Sequence, residues 1–498
     1  MKQIKNFIWV GILLIYVQVS AQENVFLDRE YWKANPTIEQ IKKDITEGND
    51  PTELNKFAFD AVSYALIEKT DNETIKFLLT KKGNGVNKKT HDGRTYIFWA
   101  AYRDNLEIMK YLIDKGAKTD VIDSHGYSLL NFAAVTGQQN TKLYDFCIAN
   151  GANPLTETNN DGANALLLVA PFLQDDTLIN YFVDKGIDLN SIDDIGNGIF
   201  NYAAKKGSKK VLELLIKKGV AYKNLNKEGG NAFIFASQGT RNSANSLETY
   251  KYLETLGLQP NVKTDKGFTP LHALAFKNTD LNIFKYFIEK GVDVNQADDK
   301  GNTPFMNAAN RNDIKSVTFL IDYVKDINVS DRKGVTSLMK ATQRNNIEVV
   351  QLLLGKGANA LTKDNEGNSL AYYTLQSYDA KKPQAFEQKL SLLKDKGVDF
   401  AQSQAEGNTL WHLAVKENNV ELLRKIAELK VPLNLKNEEG NTALHIAAMK
   451  ATDAKVLKFL LDQGADKDIK TRFEETVFDL ASENELLQKQ NIELNFLQ

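Results

Sequence analysis

With 498 residues the chain is longer than one hydrophobic core ordinarily serves, so it must divide its packing among several units. Its 42% hydrophobic and 25% charged residues are an ordinary soluble composition that does not indicate disorder, and a net charge of −2 without basic excess argues against a general nucleic-acid binder. A single cysteine, Cys147, excludes an intramolecular disulfide, so packing alone must hold the fold.

Residues 1–21 read as a secretion signal. Lys2 and Lys5 supply the positive start, Phe7 to Val17 is apolar apart from Gly11, and Val19-Ser20-Ala21 is a small-residue cleavage site before Gln22. The apolar run is shorter than the roughly 20 residues of a spanning helix, so cleavage and export are expected, not anchoring. Absence of a cysteine after it argues against a lipid anchor. Residues 22–54 form an N-terminal segment and cap, in which Ile38, Ile41 and Ile45 make a helical stripe and Gly48-Asn49-Asp50-Pro51 a turn. The next unit, Asn55 to Lys88, is diverged; its helices are expected at Phe57 to Tyr64 and Glu73 to Leu79, ending near Gly83.

The stretch Asp265 to Asp299 carries the organising pattern. Gly267 permits a positive φ in a tight turn, Thr269 can cap a helix, and Pro270 suits its first position. Ile283, Phe284, Phe287 and Ile288 recur at helical spacing, and Gly291 ends that second helix. Equivalent turn glycines stand at Gly93, Gly126, Gly162, Gly196, Gly229, Gly267, Gly301, Gly334, Gly367, Gly407 and Gly440, mostly about 33 residues apart. One helix pair cannot bury its own apolar face; stacked copies can.

The word Thr269-Pro270-Leu271-His272 resembles that of the ankyrin repeat, with related words at Thr409-Leu410-Trp411-His412 and Thr442-Ala443-Leu444-His445 and weaker ones at Thr95-Tyr96-Ile97-Phe98 and Thr336-Ser337-Leu338-Met339. The resemblance implies an all-α solenoid of about a dozen units over residues 55–470, each a β-hairpin finger followed by two antiparallel helices. Two units are long, with extra residues at 238–246 and 376–384, between the paired helices. These are read as tolerated loop growth, or as a rim that meets a partner. Residues 471–498 read as a C-terminal cap: Glu474 replaces the turn glycine, Thr476 to Ala481 repeats the first helix, and Glu485 to Phe496 is the last. Repeats reaching so far leave no stretch for a separate catalytic domain.

Side chains with chemistry fall on repeat positions. In the resembled family the histidine of the four-residue word bonds backbone groups of neighbouring turns, which is the expected role of His272, His412 and His445. His412 and His445 lie one helix diameter apart, about 10 Å, too far to share a metal. His91 and His125 precede turns on neighbouring fingers and are read as solvated turn residues, with a partner contact or weak metal site as the alternative. The pairs Asp193-Asp194 and Asp298-Asp299 are expected to cap turns. Cys147, on a second helix beside Phe146, is read as a buried small hydrophobe. The sequence contains no phosphate loop, nucleophile elbow or zinc-protease word, and Gly229-Gly230 is a repeat turn. Neither catalysis, cofactor nor metal is expected.

What remains is recognition. By the resemblance, partners meet the finger tips and the exposed side of the first helices, a concave groove. Alignment to the word places Arg94, Tyr127 and Phe268 after turn glycines, and Tyr102, Arg103, Phe172, Phe276 and Arg311 after the first-helix alanines. Aromatic and arginine side chains are enriched in binding hot spots; packing between units is the alternative for Phe172 and Phe276. The expectation is a monomeric, non-catalytic scaffold or regulator in the bacterial cell envelope, in the periplasm, binding a protein and neither nucleic acid nor membrane. A secreted host-interaction protein, or an accessory protein binding a metal or ligand, are the alternatives.

Overall fold

A computed structural model describes residues 24–241 and 243–498. The expected signal peptide, residues 1–21, lies outside the described residues. The chain divides into two compact units, Met1–Asp194 and Ile195–Gln498, each built of helix pairs.

The second unit shows how the sequence sets the pattern. Gly267 has φ +74°, and a Cβ there would lie 2.4 Å from the carbonyl oxygen of Ala297, so a side chain is excluded both by conformation and by space. After this turn Pro270–Lys277 forms the first helix, with Thr269 as cap and proline at its start. The second helix, Leu281–Glu289, opens at Asp280, whose side chain accepts from the Asn282 N–H, and ends before Gly291 at φ +88°. Ile283, Phe284 and Phe287 on one face of that helix are buried. Phe287 meets Tyr250 of the preceding pair edge to face, ring centroids 5.0 Å apart. Burial of one such ring stabilises by about 1.5–3 kcal/mol, which no isolated pair could gain. First helices stack on first helices: Pro270–Lys277 on Pro304–Arg311, and that on Ser337–Arg344.

The fingers differ from the expected hairpins. Among the described residues there is no strand, only isolated bridges such as Ser330 to Thr336. Each finger is a turn: the Asp298 N–H donates to Asn302 O at 2.9 Å, the Gly301 N–H to Asp298 O at 2.9 Å, and Asp298 Oδ1 accepts the Lys300 and Asn302 N–H groups. The helix cap follows at once, leaving no residues to extend a ladder. One bond per step joins successive turns, from Asp299 N–H to Lys266 O at 2.7 Å and from Arg332 N–H to Lys300 O at 2.9 Å. Asp298 thereby has the expected capping role.

A second recurring link lies at the other end of the helices. The Nδ2 of Asn312 donates to the carbonyls of Ala275 and Asn278, and that of Asn345 to Ala309 and Asn312, so the amide before each second helix ties down the preceding first helix. In the lengthened unit this asparagine is missing. There Pro383 starts a second helix of 13 residues, Pro383–Asp395, so the helix is longer and the loop shorter than expected over 376–384. Lys389, only 5% exposed, reaches from that helix to the carbonyl of Thr342, 2.8 Å away, the site equivalent to Ala309. Over 238–246 the amide is kept: Asn245 Nδ2 donates to Ala204 O at 2.9 Å.

The last helix is also shorter than expected, Glu485–Lys489, because Asn491 turns left-handed at φ +52° and Leu497 folds back into a buried position. Glu474 takes φ +64° in the glycine's place, as expected.

In the first unit, Phe26 and Trp32 of the N-terminal segment are buried, and the Trp32 indole donates to Phe26 O at 2.9 Å. Ile38–Thr46 is helical, with Ile41 buried. The first paired helix is Ala61–Glu68, not Phe57 to Tyr64. Asp60 and Ser63 form a reciprocal cap, and the Asn55 carboxamide oxygen accepts the N–H groups of Phe57 and Phe59, holding both in a turn. Local polar bonding overrode an apolar pattern that suggested an earlier start. Cys147 is buried, and burial pushes its thiol up to about 12, so it stays protonated at neutral pH.

Candidate interaction face

The three word histidines act alike. In the helix Pro270–Lys277 the Thr269 N–H donates to His272 Nδ1 at 3.0 Å, which leaves the proton on Nε2; Nε2 then donates to Asn302 O in the next turn at 3.1 Å. His412 bonds Thr409 N–H and Asn441 O in the same manner, and His445 bonds Thr442 N–H and Ile469 O. Burial lowers the pKa of all three below the usual 6.5, so they are neutral clips between repeats. This is the expected structural role.

His91 and His125 converge in the first unit. His91 Nε2 and His125 Nε2 lie 3.3 and 3.1 Å from Asp92 Oδ2, and Arg94 Nη1 lies 3.1 Å from the same oxygen. The guanidinium therefore takes the place a cation would need. Among the described residues no group of three or more His, Cys, Asp or Glu has the geometry to hold a metal ion.

Arg94 is 8% exposed. Its Nε donates to Asp123 Oδ2 at 2.8 Å, and its guanidinium lies 4.5 Å from the Phe132 ring centroid. Residue 94 turns inward across the next repeat, which corrects its expected place at a partner-facing tip. Tyr127 is half-buried, with its backbone N–H on Asp123 Oδ1 at 2.9 Å, and burial raises its phenol pKa. Phe268 is half-buried and stacked on His272, centroids 5.2 Å apart. Phe172 is half-buried over Gly137.

Tyr102 and Arg103 lie side by side, the guanidinium 4.8 Å from the ring centroid, while Arg103 Nε donates to the Ile67 carbonyl. Both are half-buried. Phe276 and Arg311 are the expected residues that stand most clear of the packing. Phe276 is 38% exposed, Arg311 is exposed, and its guanidinium lies 5.6 Å from the Phe276 centroid, across two neighbouring repeats. Such a ring, half covered by a cation and half open, offers both an apolar and a charged contact.

Lys277 and Arg344, which close the helices Pro270–Lys277 and Ser337–Arg344, belong to the same side and escape a search for aromatics. Counting helix positions from Pro270, Pro304 and Ser337 reveals them, because Lys277, Arg311 and Arg344 hold the same final place.

No helix among the described residues is long and apolar enough to cross a membrane. The family model for ankyrin repeats, in three copies, matches residues 62–157, 242–331, 271–365, 305–382 and 380–471. A transient receptor potential cation channel subfamily A member 1 homolog from Caenorhabditis elegans is 36% identical over 93 residues, 18% of this chain and 8% of the relative. Alpha-latrotoxin-Lg1a from Latrodectus geometricus is 29% identical over 102 residues, 20% of this chain and 7% of the toxin. The chain thus spans less than a tenth of the length of either relative. Among solved structures, a chain in the complex of the Bd0816 predatory endopeptidase from Bdellovibrio bacteriovorus with immunity protein Bd3460 matches with 24% identity, 38% of this chain and 96% of its own covered, at a TM-score of 0.32. At that score it bears no weight.

Proposed function

We propose that this chain, which belongs to the ankyrin-repeat family, is a non-catalytic scaffold or regulator that binds a partner protein through the exposed side of its first helices and their turns. Ankyrin repeats are generally protein–protein interaction modules, and proteins built of them are typically non-enzymatic. The observation that carries the reading is the Phe276–Arg311 pair: an exposed aromatic ring and an arginine, joined across two repeats that the family model matches. Arginine is enriched in binding hot spots and aromatic rings in interfaces, and the two side chains already lie against one another before any partner arrives.

Location is part of the proposal. The charged start, apolar run and small-residue cleavage site of residues 1–21 support export, and the periplasm of a bacterial envelope is our preferred compartment. Capture from periplasmic extract on the immobilised chain, residues 22–498, tests the reading. Retention of one protein in stoichiometric amount, lost with Phe276→Ala and Arg311→Ala in a folded variant, is expected. No retained protein from the cell's own extract, together with the chain itself in the culture medium, would replace it with the secreted, host-directed reading.

A further inference from the structure

We infer that the first-helix side of the second unit recognises an acidic polypeptide segment, through the row formed by Lys277, Arg311 and Arg344. This rests on the reading of that side as a binding face and adds the partner's chemistry.

The three cations hold the last position of three consecutively stacked helices, Pro270–Lys277, Pro304–Arg311 and Ser337–Arg344, and all three are exposed. Lys206 holds the equivalent place after the helix Ile199–Ala204 and Lys450 at the end of Ala443–Lys450, whereas Glu417 holds it after Leu410–Val415, so the uninterrupted basic row is the three-residue one. None of Lys277, Arg311 and Arg344 has a carboxylate partner among the described residues; Lys277 Nζ meets only the Thr240 carbonyl, at 3.3 Å, and Arg311 the Phe276 ring. Two carboxylates close in sequence, Asp280 and Asp313, cap second helices by accepting the N–H groups of Asn282 and Ser316, while Glu348 is exposed in the first turn of the helix after Arg344.

Other cations of this unit are treated differently. Lys290 pairs with Glu254, Lys325 with Asp293 and Lys356 with Asp322, each bridging to the preceding repeat. Charges there are balanced repeat by repeat, whereas the row on the first helices keeps one sign. In a chain of net charge −2 such a row is a local segregation, not an overall excess.

Spacing favours polypeptide over nucleic acid. Neighbouring packed helices stand about 8–10 Å apart. Carboxylates seven residues apart on a helix, at about 1.5 Å per residue, repeat at about 10.5 Å and can meet one cation per repeat. A duplex strand carries one phosphate per roughly 3.4 Å, about three per repeat, so one cation per repeat would leave most of its charge unmatched. The half-open Phe276 ring beside Lys277 and Arg311 adds a place for one apolar side chain among the acidic ones.

The test uses a fluorescent helical peptide with Glu at every seventh position and one Leu between two of them, titrated by anisotropy against the full mature chain. Its partner is Lys277→Glu, Arg311→Glu, Arg344→Glu, and its control is Lys285→Glu, Lys315→Glu, Lys356→Glu, an equal charge change on and beside the second helices. With circular dichroism unchanged, the row variant is expected to lose about tenfold or more in affinity, the control less than about twofold, and binding to weaken with added salt. Absence of peptide binding at 100 µM, equal losses in both variants, or tighter row-dependent binding of a single-stranded oligonucleotide would each overturn the inference. If the protein captured from extract is retained by the row variant but lost with Phe276→Ala, binding by this side stands and its acidic chemistry falls.

Discussion

His272 donates its Nε2 proton to the carbonyl oxygen of Asn302, 3.1 Å away in the next turn, while its Nδ1 accepts from the N–H of Thr269. One neutral imidazole thus closes its own helix cap and fastens the neighbouring repeat. Protonation would put a hydrogen on Nδ1 facing another hydrogen, so the charged form is excluded on two grounds, geometry and burial. For a base whose folded pKa lies below its unfolded value, the unfolded chain binds more protons as pH falls. Stability is therefore complete above about 6.5 and is lost on acidification below it. We predict that the urea midpoint of the wild type falls between pH 6.5 and 5, and that replacing His272, His412 and His445 by Gln flattens this slope. An unchanged slope in that variant would refute the assignment.

Asn131 occupies the same helix position in the first unit, but both atoms of its side-chain amide are buried without a partner. It is too short to span to the next turn. An unpaired buried polar group costs about 1–3 kcal/mol, so Asn131→His, which can reach the Ala163 carbonyl as His272 reaches Asn302, is expected to raise stability by about 1 kcal/mol or more. A lowered denaturation midpoint would show that the site cannot admit the ring.

Lys389 substitutes for the missing asparagine link at Thr342, and burial lowers its pKa to about 8. Below that value the ammonium is charged in both states and its burial opposes folding. Between about 8 and 10.4 the unfolded chain holds the proton more tightly, so stability rises with pH through that window. Lys389→Met should abolish the rise while changing stability at pH 7 by less than about 1 kcal/mol, since the lost hydrogen bond and the relieved charge burial oppose one another. Thermal melts at pH 7 and 10 for both proteins decide it; an equal rise in the two would assign it to another group.

Gly137 stands at φ +82°, and a Cβ there would lie 2.6 Å from the Phe172 ring. Gly137→Ala is expected to cost about 1–3 kcal/mol and to displace Phe172. Loss of stability alongside unaltered partner affinity would identify Phe172 as packing; coupled loss of affinity in a folded sample would place it in the interface.

The repeat period, the Pro270 helix start, the histidine clips and the buried Cys147 were all legible because each follows from a local residue choice that recurs. The Phe57 and Phe59 turn was not, because apolarity suggested helix while the Asn55 side chain held the backbone otherwise. Strands were expected where one turn and one bond per step suffice. Among the expected binding residues, the inward turn of Arg94 is not legible from residue type, because its partner Asp123 comes from the next repeat. Lys277 and Arg344 needed helix positions to be counted across repeats.

Amide hydrogen exchange of the chain with and without its captured partner tests the central claim most directly. Added protection is predicted in the first helices and turns around Phe276 and Arg311, with little change in second helices such as Leu281–Glu289 and Ile314–Ile321. Protection confined to those second helices would contradict the account.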